Sequence, residues 1–351
     1  MREVIGDIET WQNEGKSIAL ATIVKKEGAS LRSLGAKMAV TPAHEIAGSV
    51  TGGCIEGAVY EEAQNVINNH LPILLHYGVT DDETPWEIGL SCGGTLDVLL
   101  EPLDTLAWRE IFPALKKCLH ENQLATVATV ISGPSIGNKL MLWPDGHTLG
   151  SLGSTALNEQ AIVWMQNQIT IQETNWTSLK VANEAVEVFV DVFVPAARVI
   201  IVGAVHIAIP LITLAKTLGY HTIVIDPRKA FATRERFPHV DELINEWPST
   251  ALDKLQPDES TYIAVLSHDE KIDAPALQVA LASPARYVGA LGARKTIPQR
   301  FAALMELGVT EEQLSHLHTP IGMNMGAIQP DEIALSILAE MIATRRGMLK
   351  T

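Results

Sequence analysis

The chain has 351 residues, long enough for two or three domains of ordinary size. Hydrophobic residues make up 47% of it, so it can bury real cores, and wholesale disorder is excluded. Lys plus Arg number 26 against 41 Asp plus Glu, a net charge of −15. That balance argues against nucleic acid and against anionic membrane surfaces as partners, because both need clustered cations.

The first residues, Met1-Arg2-Glu3-Val4-Ile5-Gly6-Asp7, carry acids and no apolar signal region. Apolar runs such as Val199-Ile200-Ile201-Val202 are strand-sized, far short of the ~20 residues of a spanning helix. A soluble, cytoplasmic protein is expected. Cys54, Cys92 and Cys118 form neither a disulfide framework nor a C-x-x-C zinc motif.

In chain order, Val4, Ile5, Ile8 and Trp11 recur at helical spacing within 1–16. Strands follow at Ser17–Val24 and Ala36–Val40, then a glycine-rich turn from Gly48 to Gly53. Residues 55–69 read as a helix, with Ile55, Val59, Ala63 and Val66 on one face, and Ile73–Tyr77 and Thr95–Leu100 as strands. The next block reads as a degenerate copy of this one. Ala21-Thr22-Ile23-Val24 matches Ala128-Thr129-Val130-Ile131, while Pro42 and Gly48-Ser49-Val50 match Pro144 and Gly150-Ser151-Leu152. Cys54 then falls opposite Ala156, and Gly52-Gly53 opposite Ser154-Thr155. A fold copied without its Gly-Gly-Cys implies that the triplet serves chemistry. Cys118 reads as a packed helix residue.

A strand from Val186 to Val194 ends at Pro195, the expected boundary. Beyond it the pattern turns to βαβ: strand Val199–Val202, helix His206–Leu218, strands at Thr222–Ile225, Tyr262–Leu266 and Tyr287–Leu291. Helices are expected at 274–282, 296–307, 311–316 and 331–346, with Thr310 and Gln313 forming a capping box. The expected class is α/β: an α+β N-terminal domain over 1–104, its degenerate second copy over 105–195, and a Rossmann-like, doubly wound parallel sheet over 196–351.

Three groups of residues carry candidate chemistry. Thr51-Gly52-Gly53-Cys54-Ile55-Glu56-Gly57 leads into a helix whose N-terminus favours a thiolate at Cys54. Glu56 would oppose that charge or supply a proton acceptor. Gly89-Leu90-Ser91-Cys92-Gly93-Gly94 mirrors the motif, which suggests two loops facing one pocket; the plain alternative for each is a small residue in a tight turn. Gly203-Ala204-Val205-His206-Ile207-Ala208 occupies the place of a dinucleotide fingerprint, with Asp226 as the ribose-reading acid 23 residues on. Val205 replaces the second glycine, and a β-branched side chain obstructs a pyrophosphate there, so NAD(P) binding is expected to be weak. Arg228, His268, Arg294 and Lys295 follow strand ends, where α/β folds bind anionic ligands. Asp269, beside His268, reads equally as a helix cap.

These residues resemble the xanthine dehydrogenase accessory family (XdhC/CoxI). The resemblance runs through Gly35-Ala36-Lys37-Met38, Gly48–Ala58, Ile88–Gly94, Gly203–Ala208, Asp226-Pro227-Arg228, Ser267-His268-Asp269, Gly292–Lys295, Pro320-Ile321-Gly322 and Glu332–Glu340. The family's Gly-Ala-Gly-His becomes Gly203-Ala204-Val205-His206, and its Gly-Ser-Arg becomes Gly292-Ala293-Arg294. The resemblance implies an accessory factor, a cofactor-insertion chaperone more than a turnover enzyme. Such a factor binds molybdenum cofactor, supports its sulfuration with a cysteine desulfurase and hands it to a molybdenum hydroxylase subunit. Cys54, with Cys92 as a second thiol, is then expected to contact molybdenum, and Glu56 to stand beside it. Gly52, Gly53, Gly93, Gly94, Gly203, His206, Asp226, Arg228, His268, Arg294 and Lys295 are expected to cradle the cofactor, and a homodimer is compatible with this reading. The alternatives are an NAD(P)-dependent oxidoreductase acting on a small molecule and an assembly factor that only docks a hydroxylase.

Overall fold

A computed structural model describes residues 1–28, 32–78, 94–181 and 184–348. The chain forms two compact units, Met1–Pro195 and Ala196–Thr351.

The first unit is built twice from one plan. Helix α1 (Ile5–Asn13) precedes strands β1 (Ala19–Glu27), β2 (Lys37–Val40) and β3 (Ile46–Gly48), helix α2 (Glu56–Asn69), and strands β4 (Ile73–Tyr77) and β5 (Thr95–Pro102). Helix α3 (Leu106–His120), β6 (Ala125–Val130), β7 (Lys139–Leu142), β8 (Thr148–Ser151), α4 (Thr155–Ile171), β9 (Asn175–Val181) and β10 (Glu184–Phe193) repeat the series. Both sheets are antiparallel, with orders β3-β2-β1-β5-β4 and β8-β7-β6-β10-β9. The duplication expected from the sequence is therefore present in the fold. Register fixes it residue by residue: Thr22 pairs with Lys37 as Thr129 pairs with Lys139. Gly48 and Gly150 both hold positive φ, and both must be glycine because a Cβ would stand 2.3 and 2.5 Å from the carbonyl oxygens of Lys37 and Lys139.

Strand alternation sorts the side chains. In β1, Ala19, Ala21 and Ile23 pack on Val59, Ala63 and Val66 of α2, whereas Leu20 joins Ile8 of α1 and Val4 just before it on the other face. That second core also takes Trp108, Ile111 and Leu115 of α3, so both copies share it. Cys118 lies there, 2% exposed, accepting a hydrogen bond from the Trp143 indole, in keeping with its reading as a packing residue. Among the apolar groups between the sheets lie two crossed ion pairs. Lys37 of the first copy meets Asp191 of the second at 2.7 Å, and Lys139 of the second meets Glu101 of the first at 2.8 Å. All four residues are under 9% exposed. Burial pushes Lys139 below the usual lysine range, and Glu101 pulls against that shift. The Trp108 ring lies 4.3 Å from its ammonium, a cation–π contact.

The second unit is one parallel sheet of order β13-β12-β11-β14-β15-β16. Its strands are β11 (Arg198–Val202), β12 (His221–Ile225), β13 (Glu242–Ile244), β14 (Thr261–Val265), β15 (Tyr287–Ala290) and β16 (Leu317–His318). Val199 and Ile201 face a core with α5 (Ala208–Thr217) and α10 (Pro330–Arg345). Ile200 and Val202 face the opposite core with α6 (Pro248–Leu255) and α7 (Glu270–Ala282), beyond which α8 (Ile297–Glu306) and α9 (Glu311–Ser315) follow. The doubly wound, Rossmann-like expectation holds, and so does the Thr310–Gln313 capping box. Two helix starts differ from the sequence reading by two residues or more. The helix expected to begin at His206 begins at Ala208, leaving His206 in a turn, and α7 begins at Glu270, not 274, because Asp269 caps it by accepting from Lys271 N. No helix among the described residues is long and apolar enough to cross a membrane.

Candidate functional site

The two copies of the first unit allow a direct comparison of the cysteine turn. In the second copy, α4 starts conventionally: Ser154 caps it by accepting from Leu157 N. Asn158 in its first turn accepts from Leu152 N at 2.8 Å and donates to Ser151 Oγ. Glu56 stands where Asn158 stands, 102 residues earlier. Helix α2 starts only there, three residues later than its counterpart. The intervening residues are unwound, with Gly52 at φ +89° and Gly53 at φ +130°. No atom crowds a Cβ position at Gly53, so its glycine answers to backbone angle alone.

The Glu56 carboxylate holds this unwound turn. It accepts from Ser49 Oγ and Thr51 Oγ1, both at 2.6 Å, and from the backbone N–H groups of Thr51, Gly52 and Gly53 at 2.7–2.8 Å. Thr51 Oγ1 in turn accepts from Cys54 N and Ile55 N. Burial alone would raise the Glu56 carboxyl, but these five hydrogen bonds outweigh it and hold the group far below the usual carboxylate range. Glu56 therefore stays ionised and supplies the negative charge that the helix start favours. Cys54 is exposed on the turn, while Ile55 beside it is buried in the α2 core. Gly94 is buried directly before β5. Cys92 and Gly93, and with them the expected pairing of two cysteine loops, lie outside the described residues.

A folded-state carboxyl this depressed adds stability above its unfolded pKa and loses it as acid protonates it. The Glu56→Gln protein is accordingly expected to be about 1–3 kcal/mol less stable than the parent at pH 7, the worth of hydrogen bonds to a charged group. The gap should close as pH falls below about 4.3, the ordinary glutamate value. Urea unfolding at pH 7 and pH 3.5 measures both, and an equal gap at the two values would refute the assignment.

In the second unit, parallel strands deliver their following loops to one edge. The strand order reverses between β11 and β14, where open α/β sheets bind ligands. Gly203 (φ +106°) closes β11 so tightly that a Cβ would reach 2.8 Å from Ser267 N and Cα, after β14. The first fingerprint glycine is thus required by the neighbouring loop. Asp226 is fully buried: Oδ1 accepts from Arg228 N and Nε at 2.9 Å, and Oδ2 accepts from Arg228 Nη2 and Ala204 N at 2.7 Å. Burial would raise this carboxyl, and the bonds from Arg228 and Ala204 more than offset it, so it is held below its ordinary value. His268 is exposed in the left-handed region, φ +59°, a strained position for a residue other than glycine. Arg294 and Lys295 are exposed on a single 3₁₀ turn, without an ion-pair partner among the described residues. His206 is exposed on the turn after β11.

Three further side chains brace this edge, and sequence reasoning does not single them out. Buried Asp273 accepts from Ser267 Oγ at 2.5 Å, and burial raises its carboxyl. Arg300 donates to Leu291 O at 2.8 Å, its guanidinium 2.9 Å from where a Cβ on Gly292 would stand. Glu340, at the end of the last quoted motif, accepts from Tyr287 Oη and Gly322 N at 2.5 and 2.7 Å. Glu340 bonds partners 53 and 18 residues away, which no local spacing reveals, whereas Asp273 and Arg300 reach loops only 6 and 9 residues away but read from sequence as ordinary polar residues of α7 and α8. No cluster of metal-ligating side chains occurs among the described residues.

An N-terminal α+β unit with an exposed cysteine turn, joined in one chain to a Rossmann unit, defines the protein class. Residues 11–78 match the family described as XdhC and CoxI, and residues 199–341 match the XdhC Rossmann domain, together more than half of the chain. The chain belongs to the XdhC/CoxI family. It is 28% identical over 329 residues to a Bacillus subtilis (strain 168) protein whose name makes it a probable xanthine dehydrogenase component, covering 93% of each. It is 27% identical over 332 residues to an Escherichia coli (strain K12) protein named "Molybdenum cofactor insertion chaperone PaoD", covering 94% of this chain and 84% of that one. A crystal structure from Bacillus halodurans, titled as a xanthine dehydrogenase, superposes with a TM-score of 0.78 at 27% identity, over 99% of this chain and 96% of the other.

Proposed function

We propose that this protein is an accessory factor that binds molybdenum cofactor as cargo and delivers it to a molybdenum hydroxylase. The observation that carries the reading is the Cys54 turn. One of two copies of the same fold has lost its first helical turn, and the residues that replace it expose a thiol. A cysteine sulfur is a soft ligand suited to a sulfur-rich molybdenum centre. Glu56 keeps the turn in shape, so its part is positioning. Within the Rossmann unit itself, exposed Arg294 and Lys295 suit an anionic group. The name borne by the E. coli relative, a cofactor insertion chaperone, supports the same role.

On this reading the protein works in the cytoplasm, and a cysteine desulfurase is the partner that supplies the cofactor's terminal sulfur. The test is to purify the parent and Cys54→Ala proteins from cells that make the cofactor and measure bound molybdenum and pterin. The parent is expected to retain both, and the variant to lose most of its molybdenum while keeping the parent's circular dichroism. Full loading of Cys54→Ala would overturn the thiol's role.

A further inference from the structure

We propose that the Rossmann unit takes a nucleotide whose ribose carries a 2′-phosphate and refuses the same nucleotide with a free 2′,3′-diol. The inference does not rest on the cofactor-carrier reading.

A Rossmann acid at the end of the second strand reads a ribose by accepting from its hydroxyls. A carboxylate offers about four lone-pair directions. Asp226 has committed all four: two to Nε and Nη2 of Arg228, one to Arg228 N and one to Ala204 N. The residue is 0% exposed, so no further acceptor faces solvent. A ribose diol arriving here finds its acceptor already covered by a guanidinium. Reading it would first require breaking a bidentate, charge-assisted pair.

The same pairing prepares the edge for an anion. Nε and Nη2 fix the orientation of Arg228, and the pair leaves both N–H bonds of Nη1 unused. The side chain is 33% exposed, and its guanidinium lies 4.5 Å from the ring centre of Phe231, a cation–π contact. Arg236 reaches under the turn, donating to Ala204 O at 3.0 Å and to Phe231 O at 2.6 Å, so the fingerprint loop and the 226–237 segment are tied together. Lys229 is exposed beside Arg228, without an ion-pair partner among the described residues. Within this turn Arg228 and Lys229 outnumber the one carboxylate, while Asp269 and Asp273 beyond β14 also act on Arg228, which leaves Lys229 as the cation without a carboxylate partner among the described residues. A rigid guanidinium edge with an adjacent ammonium suits a phosphomonoester. Half-buried Val205 hinders pyrophosphate at the other end of the fingerprint, so the 2′-phosphate contact carries much of the affinity.

Isothermal titration of the full-length protein with NADP⁺, NAD⁺, 2′,5′-ADP and 5′-AMP tests this. NADP⁺ is expected to bind at least tenfold more tightly than NAD⁺, and 2′,5′-ADP at least tenfold more tightly than 5′-AMP. Arg228→Ala removes the phosphate reader and uncovers Asp226 together, so the preference should reverse: NADP⁺ weakens and NAD⁺ strengthens. A loss of fold would weaken both. Lys229→Ala, at a residue that holds nothing else in place, should weaken 2′,5′-ADP several-fold and leave 5′-AMP unchanged. Equal affinities for NAD⁺ and NADP⁺, failure of 2′,5′-ADP to bind at millimolar concentration, or equally effective competition by inorganic phosphate would each overturn the proposal.

Discussion

Replacing Lys139 with Ala is expected to destabilise the protein by roughly 3–5 kcal/mol, the penalty for leaving one half of a buried ion pair unpartnered. Glu101 is 3% exposed and sits between two sheets, so water cannot take over the lost ammonium. Thr129 Oγ1 and the Trp108 ring would also lose their cation. The double change Lys139→Met with Glu101→Leu should recover most of the loss, because an apolar pair of similar volume carries no desolvation penalty. Urea unfolding of the parent, single and double variants measures the coupling. A single variant within about 1 kcal/mol of the parent, the ordinary worth of an exposed pair, would show that the lysine contributes no more than a surface charge.

The second large effect belongs to Gly203. Its Ala variant meets two independent penalties. At φ +106° any side chain is strained, worth about 1–3 kcal/mol. The new Cβ would also stand 2.8 Å from backbone atoms of Ser267, and overpacking of that kind costs about 1–3 kcal/mol. Backbone cannot rotate aside as a flexible side chain can. Thermal unfolding is expected to fall by several degrees or more. Amide exchange should quicken around Ser267 as well as around Gly203, because the two loops are braced on each other. Faster exchange confined to residues 203–208 would contradict that coupling. The effect is expected without any nucleotide present, which separates this glycine's structural duty from a ligand-binding one.

Much of the architecture is legible in the sequence. Strand Ile73–Tyr77 stands where its β-branched and aromatic run places it, and the Thr310–Gln313 box caps its helix. The duplication is readable from the spacing of Pro42, Gly48 and their counterparts because the glycines answer a backbone need in both copies. Helix α4 is not legible: its apolar residues are spread round it, and Gln168 is buried among them. The buried lysines are also illegible as such. Strand Lys37–Val40 is buried on both faces, so alternation does not set Lys37 apart from its apolar neighbours. At the candidate site, the unusual cysteine turn and the strand-end cations stand out from sequence alone. That Glu56 and Asp226 are consumed by their own backbones and neighbours does not, since a carboxylate's free capacity depends on contacts that spacing does not reveal.

The crossing of the two ion pairs makes each half dependent on the other. Each lysine answers to an acid contributed by the opposite repeat, so neither half can drift in charge, be trimmed away or be exchanged for a foreign counterpart without stranding an ion in the other. The half bearing Asn158 has an ordinary helix start. The repeat with the ordinary helix start is therefore a structural requirement of the one that carries the cysteine turn, whose Lys37 and Glu101 have no other ion-pair partner among the described residues.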